Sequence, residues 1–177
     1  MVNGRWDHLL SPSLVLGGTI LELTPEVVKT HHLQGLILDV DETLVPLKQR
    51  QVSPEVVAWI EEIRQHVALW LVSNNLSESR IGGIAESLNL PYILGARKPS
   101  RRKLRQAMEA MQLPPEAVAM VGDRLFTDAL AGNRLGLFTI LVEPMVDPLI
   151  AARSYPIRNF EVWLTQKLGV TLYKPES

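Results

Sequence analysis

Two aspartates and a threonine follow an apolar run at Leu36-Ile37-Leu38-Asp39-Val40-Asp41-Glu42-Thr43-Leu44. Carboxylates two residues apart repel unless a cation sits between them. Three later stretches carry groups of matching chemistry: Ser73-Asn74-Asn75, Lys98-Pro99, and Gly122-Asp123 with Asp128 five residues beyond the aspartate. Together they make a coherent set for phosphoryl transfer. Magnesium takes oxygen ligands in an octahedron and keeps several waters. Asp39 and Asp123 offer carboxylates, the Asp41 carbonyl completes the protein set, and Asp128 is a direct or water-mediated ligand. Asp39 can attack phosphorus to give an aspartyl-phosphate. Asp41 can protonate the leaving oxygen and then deprotonate the hydrolytic water. Ser73 and Asn74, with neighbouring backbone N–H groups, can bind phosphoryl oxygens, and Lys98 can stabilise the transferring group. Taken singly each residue has an ordinary reading, as a turn serine, a solvated lysine or a helix-start acid. Their placement at successive strand ends is what joins them.

The elements around these residues follow from hydrophobic patterning. Apolar runs at 36–38, 67–72, 92–94, 118–121 and 137–142 read as buried parallel strands. Helical spacing lies between them, over about 53–66, 77–88, 100–111 and 128–135, with a short helix at 25–31 opened by Thr24-Pro25. Such alternation predicts an α/β, three-layer, Rossmann-like fold with a parallel five-stranded sheet and right-handed crossovers. In such a sheet the ligand crevice lies beyond the carboxyl ends of the strands. The link from Thr43 to the helix at 53 holds only about ten residues, too few for an inserted cap domain.

The chain has 177 residues, 46% hydrophobic and 21% charged, which suits one domain with a substantial core. It divides into a leader (1–34), a core (about 35–142) and an extension (143–177) with a helix expected over Asn159–Leu168. The net charge of −1 gives no basic field for nucleic acid. There is no cysteine, which excludes thiolate nucleophiles, disulfides and Cys-ligated zinc. A reducing cytoplasm fits. No apolar run is long enough to span a bilayer, and residues 9–21 are too interrupted for a good signal peptide. The apolar leader either covers one face of the core or touches a membrane surface. Arg97, Lys98, Arg101, Arg102, Lys103 and Arg105 form a basic segment, read as a solvated face or as a contact for an anionic surface. His31-His32 read as ordinary surface histidines, since neighbours on a helix diverge.

D-V-D-E-T at 39–43, Ser73, Lys98-Pro99 and G-D-x-x-x-x-D at 122–128 resemble the four motifs of the haloacid dehalogenase-like (HAD) superfamily, in its phosphatase branch. Ser73-Asn74-Asn75, the run Gly122–Asp128 and Gly132-Asn133-Arg134 resemble the subfamily IIIA group that includes YqeG and is related to phosphatidylglycerophosphate phosphatase. That group often has Asn where Glu42 stands and Gln where Arg124 stands. The resemblance implies a magnesium-dependent phosphomonoesterase with an open crevice. It further implies a large substrate, phosphatidylglycerophosphate, and a cytoplasmic protein that visits the inner membrane face peripherally. A soluble phosphatase acting on a sugar phosphate, nucleotide or phosphoprotein is the alternative reading, and a non-catalytic binding module is a third. The intact acid set argues against the third.

Overall fold

Apolar strands need cover on both faces, and the chain supplies it from both sides. The computed structural model describes residues 8–146. Its strands are β1 (Leu14–Val15), β2 (Gly35–Leu38), β3 (Ala68–Val72), β4 (Tyr92–Ile93), β5 (Val118–Gly122) and β6 (Phe138–Leu141). They form one sheet in the order β1-β6-β5-β2-β3-β4, and every neighbouring pair is parallel. The α-helices between them are α1 (Pro25–Thr30), α2 (Pro54–Ile63), α3 (Glu78–Leu88), α4 (Arg102–Met111) and α5 (Leu130–Leu135).

The three layers can be followed along β2. Leu36 and Leu38 pack with Val56, Ile60, Ile81 and Ile84, from α2 and α3. Ile37 points the other way, into a cluster with Leu104 and Ala107 of α4 and Ala131 of α5. This is the period-two alternation of a strand covered on both faces. Each fully buried aliphatic side chain here contributes about 1.5–3 kcal/mol. Helix starts obey local chemistry. Thr24 and Ser53 accept from the backbone N–H of Val27 and Val56, each with proline next in the chain.

The sheet has six strands where the sequence predicted five. The sixth, β1, lies in the leader and pairs Leu14 with Ile140 and Val15 with Leu141. Two residues between Pro12 and Gly17-Gly18 carry too little periodicity to be read as a strand. The same segment resolves the two readings of the leader for residues 8–34. Leu10, Ile20, Leu23 and Val28 are buried, and Trp59 of α2 donates its Nε1–H to the Leu23 carbonyl at 2.8 Å. Asn133 holds the carbonyls of Leu9 (2.8 Å) and Ser11 (2.9 Å). Residues 8–34 of the leader cover the core, and those apolar side chains are not available to a membrane. His31 is also tied in, packed at a tilt against Phe138 with ring centroids 4.6 Å apart. The helix expected over 159–168 lies outside the described residues.

Between β2 and α2 the chain forms only a tight turn and a loop, and among the described residues there is no cap domain. No helix there is long and apolar enough to cross a membrane. From β2 the chain winds outward through β3 to β4, then returns to the opposite side of β2 as β5. The β2/β5 boundary is therefore the topological switch point, where a crevice opens at the strand ends.

Candidate active site

Asp39 continues β2 by one residue, its N–H donating to the Val121 carbonyl at 2.9 Å. The chain then turns sharply. The Val40 carbonyl accepts from the amides of Thr43, Leu44 and Val45 at 3.3, 3.0 and 3.2 Å. Glu42 takes a left-handed conformation (φ 64°) to close this turn, a position with a steric cost for any residue with a Cβ. Thr43 is fully buried and its hydroxyl faces Asp39 Oδ2 at 3.4 Å, so it braces the nucleophile candidate. The turn sends the two aspartates to different neighbours.

On the β5 side, Asp39 meets Asp123 and Asp128. One carboxylate oxygen from each lies within 4.8 Å of the others, and all three residues are buried. Asp123 follows β5 directly. Asp128 is returned to the same pocket by a π-helical turn, Leu125–Ala129, in place of the helix start expected at 128. Such wide turns often occur at functional sites. Gly122 makes the approach possible, because a Cβ there would clash with the Asp128 carboxylate. Lys98, reached from the loop after β4, lies among the acids. Its Nζ is 2.5 Å from Asp39 Oδ1, 2.7 Å from Asp128 Oδ1 and 3.1 Å from the Val72 carbonyl.

Three carboxylates against one ammonium leave two negative charges in a buried space. The electrostatics follow. Burial, reinforced by Asp128 and Asp41, pushes the Asp39 carboxyl up to about 7 despite the Lys98 ammonium. Burial with the charges of Asp128 and Asp39 pushes Asp123 up to about 8. Lys98 is the converse case. Burial favours its neutral form, but Asp128 and Asp39 outweigh that and hold the ammonium above its usual range. Asp123 Oδ1 is buried with no hydrogen-bond partner, which is costly unless something else satisfies it. An all-oxygen donor set, an excess of two negative charges and an orphaned carboxylate oxygen fit a hard divalent cation.

On the β3 side the arrangement is different. The Asp41 carboxylate forms an ion pair with Arg80 of α3 through Oδ1. Its Oδ2 accepts from Asn75 Nδ2 at 3.2 Å and faces the Ser73 hydroxyl at 3.5 Å. Asp41 thus contributes its carboxyl elsewhere than to the three-acid cluster. Ser73, buried at the end of β3, also accepts the Asn75 N–H at 3.0 Å. Asn74, singled out for phosphate, is engaged with the Lys98 backbone. Its Oδ1 accepts the Lys98 N–H at 2.7 Å and its Nδ2 donates to the Lys98 carbonyl at 3.3 Å. In this arrangement Asn74 shapes the loop that delivers Lys98.

Two features escaped the sequence reading. Arg80 gives no motif signal, since its partner lies 39 residues back in the chain. Glu42 and Arg124, which had no assigned role, pair with each other across the crevice at 3.1 Å. The basic segment also gains a member. Arg101, Arg102 and Arg105 line an open cavity of roughly 750 Å³ together with Arg134 of α5, and among the described residues none of the four is ion-paired.

Residues 95–145 match a family model described as HAD-hydrolase-like. The chain is 39% identical over 127 residues to the "Probable phosphatase YqeG" of Bacillus subtilis, covering 71% of this chain and 73% of that one. It is 24% identical over 175 residues to the chloroplastic phosphatidylglycerophosphate phosphatase 1 of Chlamydomonas reinhardtii, covering 92% of this chain and 63% of the relative. Among solved structures it superposes on a protein of Vibrio cholerae provisionally assigned as a 3-deoxy-D-manno-octulosonate 8-phosphate phosphatase. That likeness has a TM-score of 0.55 and 13% identity, over 85% of this chain and 93% of the other, and speaks to the fold.

Proposed function

Because the chain belongs to the haloacid dehalogenase-like (HAD) hydrolases, in the group of the YqeG phosphatase, we propose that this phosphatase hydrolyses phosphate monoesters by attack of Asp39 on phosphorus. One oxygen of Asp39 forms the new bond to phosphorus while the bond to the ester oxygen breaks. Asp41, an ion-paired carboxylate in the free protein, first takes up a proton from solvent and then gives it to that leaving oxygen. Water then attacks the aspartyl-phosphate, Asp41 takes up a proton from it, and inorganic phosphate departs with Asp39 regenerated. Lys98 offsets charge on the transferring group, and Ser73 offers a hydroxyl to its oxygens. Asp39, Asp123 and Asp128, with the Asp41 carbonyl, would hold a divalent cation, and the all-oxygen set suits magnesium. Bound there, such an ion neutralises phosphoryl oxygens. The observation that carries this reading is the packing of three buried acids and a buried lysine into one pocket at the β2/β5 switch point.

The substrate we favour is phosphatidylglycerophosphate, with phosphatidylglycerol as product. The likeness to the chloroplastic phosphatidylglycerophosphate phosphatase supports it. So does an uncapped crevice, which leaves room for a substrate presented at a surface. The arginine-lined cavity supports an anionic partner, and on this reading the protein is cytoplasmic and meets the membrane peripherally. Purified protein with magnesium, offered phosphatidylglycerophosphate in mixed micelles beside a panel of soluble phosphate esters, is expected to turn over the lipid at least tenfold more efficiently in kcat/KM. Turnover confined to soluble esters would remove the lipid reading and leave a soluble phosphatase.

A further inference from the structure

The proton that Asp41 must deliver needs a carboxyl held at a fixed place, yet Asp41 stands on a loop whose outer end is open, with Leu47 52% exposed. The geometry points to Arg80 as the positioning residue for Asp41: one guanidinium fixes the acid and the loop behind it together. Arg80 is 8% exposed. Its Nη1 holds Asp41 Oδ1, its Nε donates to the Gln49 carbonyl at 3.0 Å, and its Nη2 to the Pro46 carbonyl at 3.3 Å. Three donors of one rigid fork therefore read residues 41, 46 and 49 at once. An ammonium on a flexible stem cannot reproduce that span.

The opposite edge of Asp41 is fixed independently. Asn75 Nδ2 and the Ser73 hydroxyl approach Oδ2, while Oδ1 takes Arg80. With both oxygens engaged, the carboxyl is held at a fixed place on the β3 side, outside the cluster of Asp39, Asp123 and Asp128 but near enough for its charge to act on Asp39. Burying a guanidinium is costly unless its partners are well placed, so a residue in this position acts on whatever it holds. Arg80 would also tie the first turn of α3 to the loop after the nucleophile. A clamp of that kind would stabilise the site without touching proton transfer, and the two roles separate by leaving group.

This inference rests on Asp41 being the proton donor, and the test distinguishes the two. Glycerol 3-phosphate, an alkyl ester, needs its leaving oxygen protonated. p-Nitrophenyl phosphate releases a stabilised phenolate and needs little such help. In Arg80→Met, kcat on the alkyl ester is expected to fall about 100-fold, with KM within about twofold and the loss on the nitrophenyl ester under about fivefold. Arg80→Lys should fall between, and millimolar guanidinium should restore part of the alkyl-ester activity of Arg80→Ala. Asp41→Asn should show the same split, and magnesium affinity by calorimetry should be unchanged in the Arg80 variants. If Arg80→Met does not fold, Arg80→Lys carries the comparison. Equal losses on both esters in the Arg80 variants, with Asp41→Asn still splitting them, would reduce Arg80 to a clamp. An Asp41→Asn enzyme with no split would overturn the donor assignment and the inference with it.

Discussion

The loop after β2 carries two aspartates whose surroundings are opposites. Asp39 faces β5, where it shares a buried pocket with Asp123 and Asp128, and among the described residues Lys98 is the one cation ion-paired with this cluster. Asp41 faces β3, where Arg80 matches it one for one and Asn75 and Ser73 complete its hydrogen bonds. One side is short of positive charge by its own construction, and the other is balanced. A buried excess of negative charge is expensive, so the β5 side suits a cation brought from outside. A balanced, hydrogen-bonded acid is a fixture of the chain, suited to chemistry that depends on placement. The same residue type, two positions apart, is prepared for two different tasks.

The largest effects should come from the charge-starved side. Asp39→Asn removes the nucleophile and is expected to lower kcat by about 10⁴-fold or more, measured on the best ester found. Asp123→Asn should weaken magnesium binding about 10- to 100-fold in a calorimetric titration. Asp41→Asn, which keeps its backbone carbonyl, should change that affinity by no more than about threefold. If Asp41→Asn and Asp123→Asn weaken magnesium binding alike, the division between the two sides is broken.

A pH experiment sharpens the same contrast. Asp39 is held up to about 7 and Asp123 to about 8, both chiefly by burial. Their folded values lie above those of the unfolded chain, so the folded, metal-free protein keeps protons that the unfolded chain has released. Stability from these groups is fully present below pH 4 and is lost as pH rises through about 7 to 8. The Tm of chelator-treated protein should therefore fall between pH 5.5 and pH 8.5. Saturating magnesium should restore it, and most strongly at the alkaline end. Asp123→Asn should flatten the metal-free slope. A Tm that climbs over this range without metal would contradict the charge imbalance.

How much of this was legible in the chain depended on the range of the signal. The buried strands at 36–38, 68–72 and 118–121 announce themselves by unbroken apolar residues, and the polar groups at their ends by proximity. Hence Asp39, Asp123, Asp128 and Lys98 are singled out together and are found in one pocket. β1 was missed because two residues carry no period. The wide turn before α5 was missed because it depends on Asp128 packing over Gly122, a contact without a local signature. Arg80 was missed for a similar reason. An arginine in the first turn of a helix reads as a solvated cation until the fold brings Asp41, Pro46 and Gln49 around it. Asn74 sits beside Ser73 in the chain, yet its amide is committed to Lys98, and adjacency in sequence gave no hint of that.

The smallest expected effect concerns the pair that joins the two strand-end loops. Glu42 and Arg124, which the sequence reading left without a role, are partners at 3.1 Å, so the two act as one linked feature. Arg124 has 37% of its side chain exposed and Glu42 only 7%. Solvent screens the arginine, so the pair itself contributes at most about 1 kcal/mol. Removing one partner is a different matter, because Arg124→Gln leaves a buried carboxylate facing Asp123 with its cation gone. That substitution should cost about 1–2 kcal/mol by urea unfolding. The double change Glu42→Asn with Arg124→Gln removes charge from both sides and should cost less than Arg124→Gln alone. Arg124 is also among the charges that favour ionised Asp123, and as a cation it repels another cation nearby. Magnesium should accordingly bind Arg124→Gln as tightly as wild type or a few-fold more so. Additive losses in the double variant would mean that the two residues act separately, and that the loops after β2 and β5 are held together by the acids and Lys98 alone.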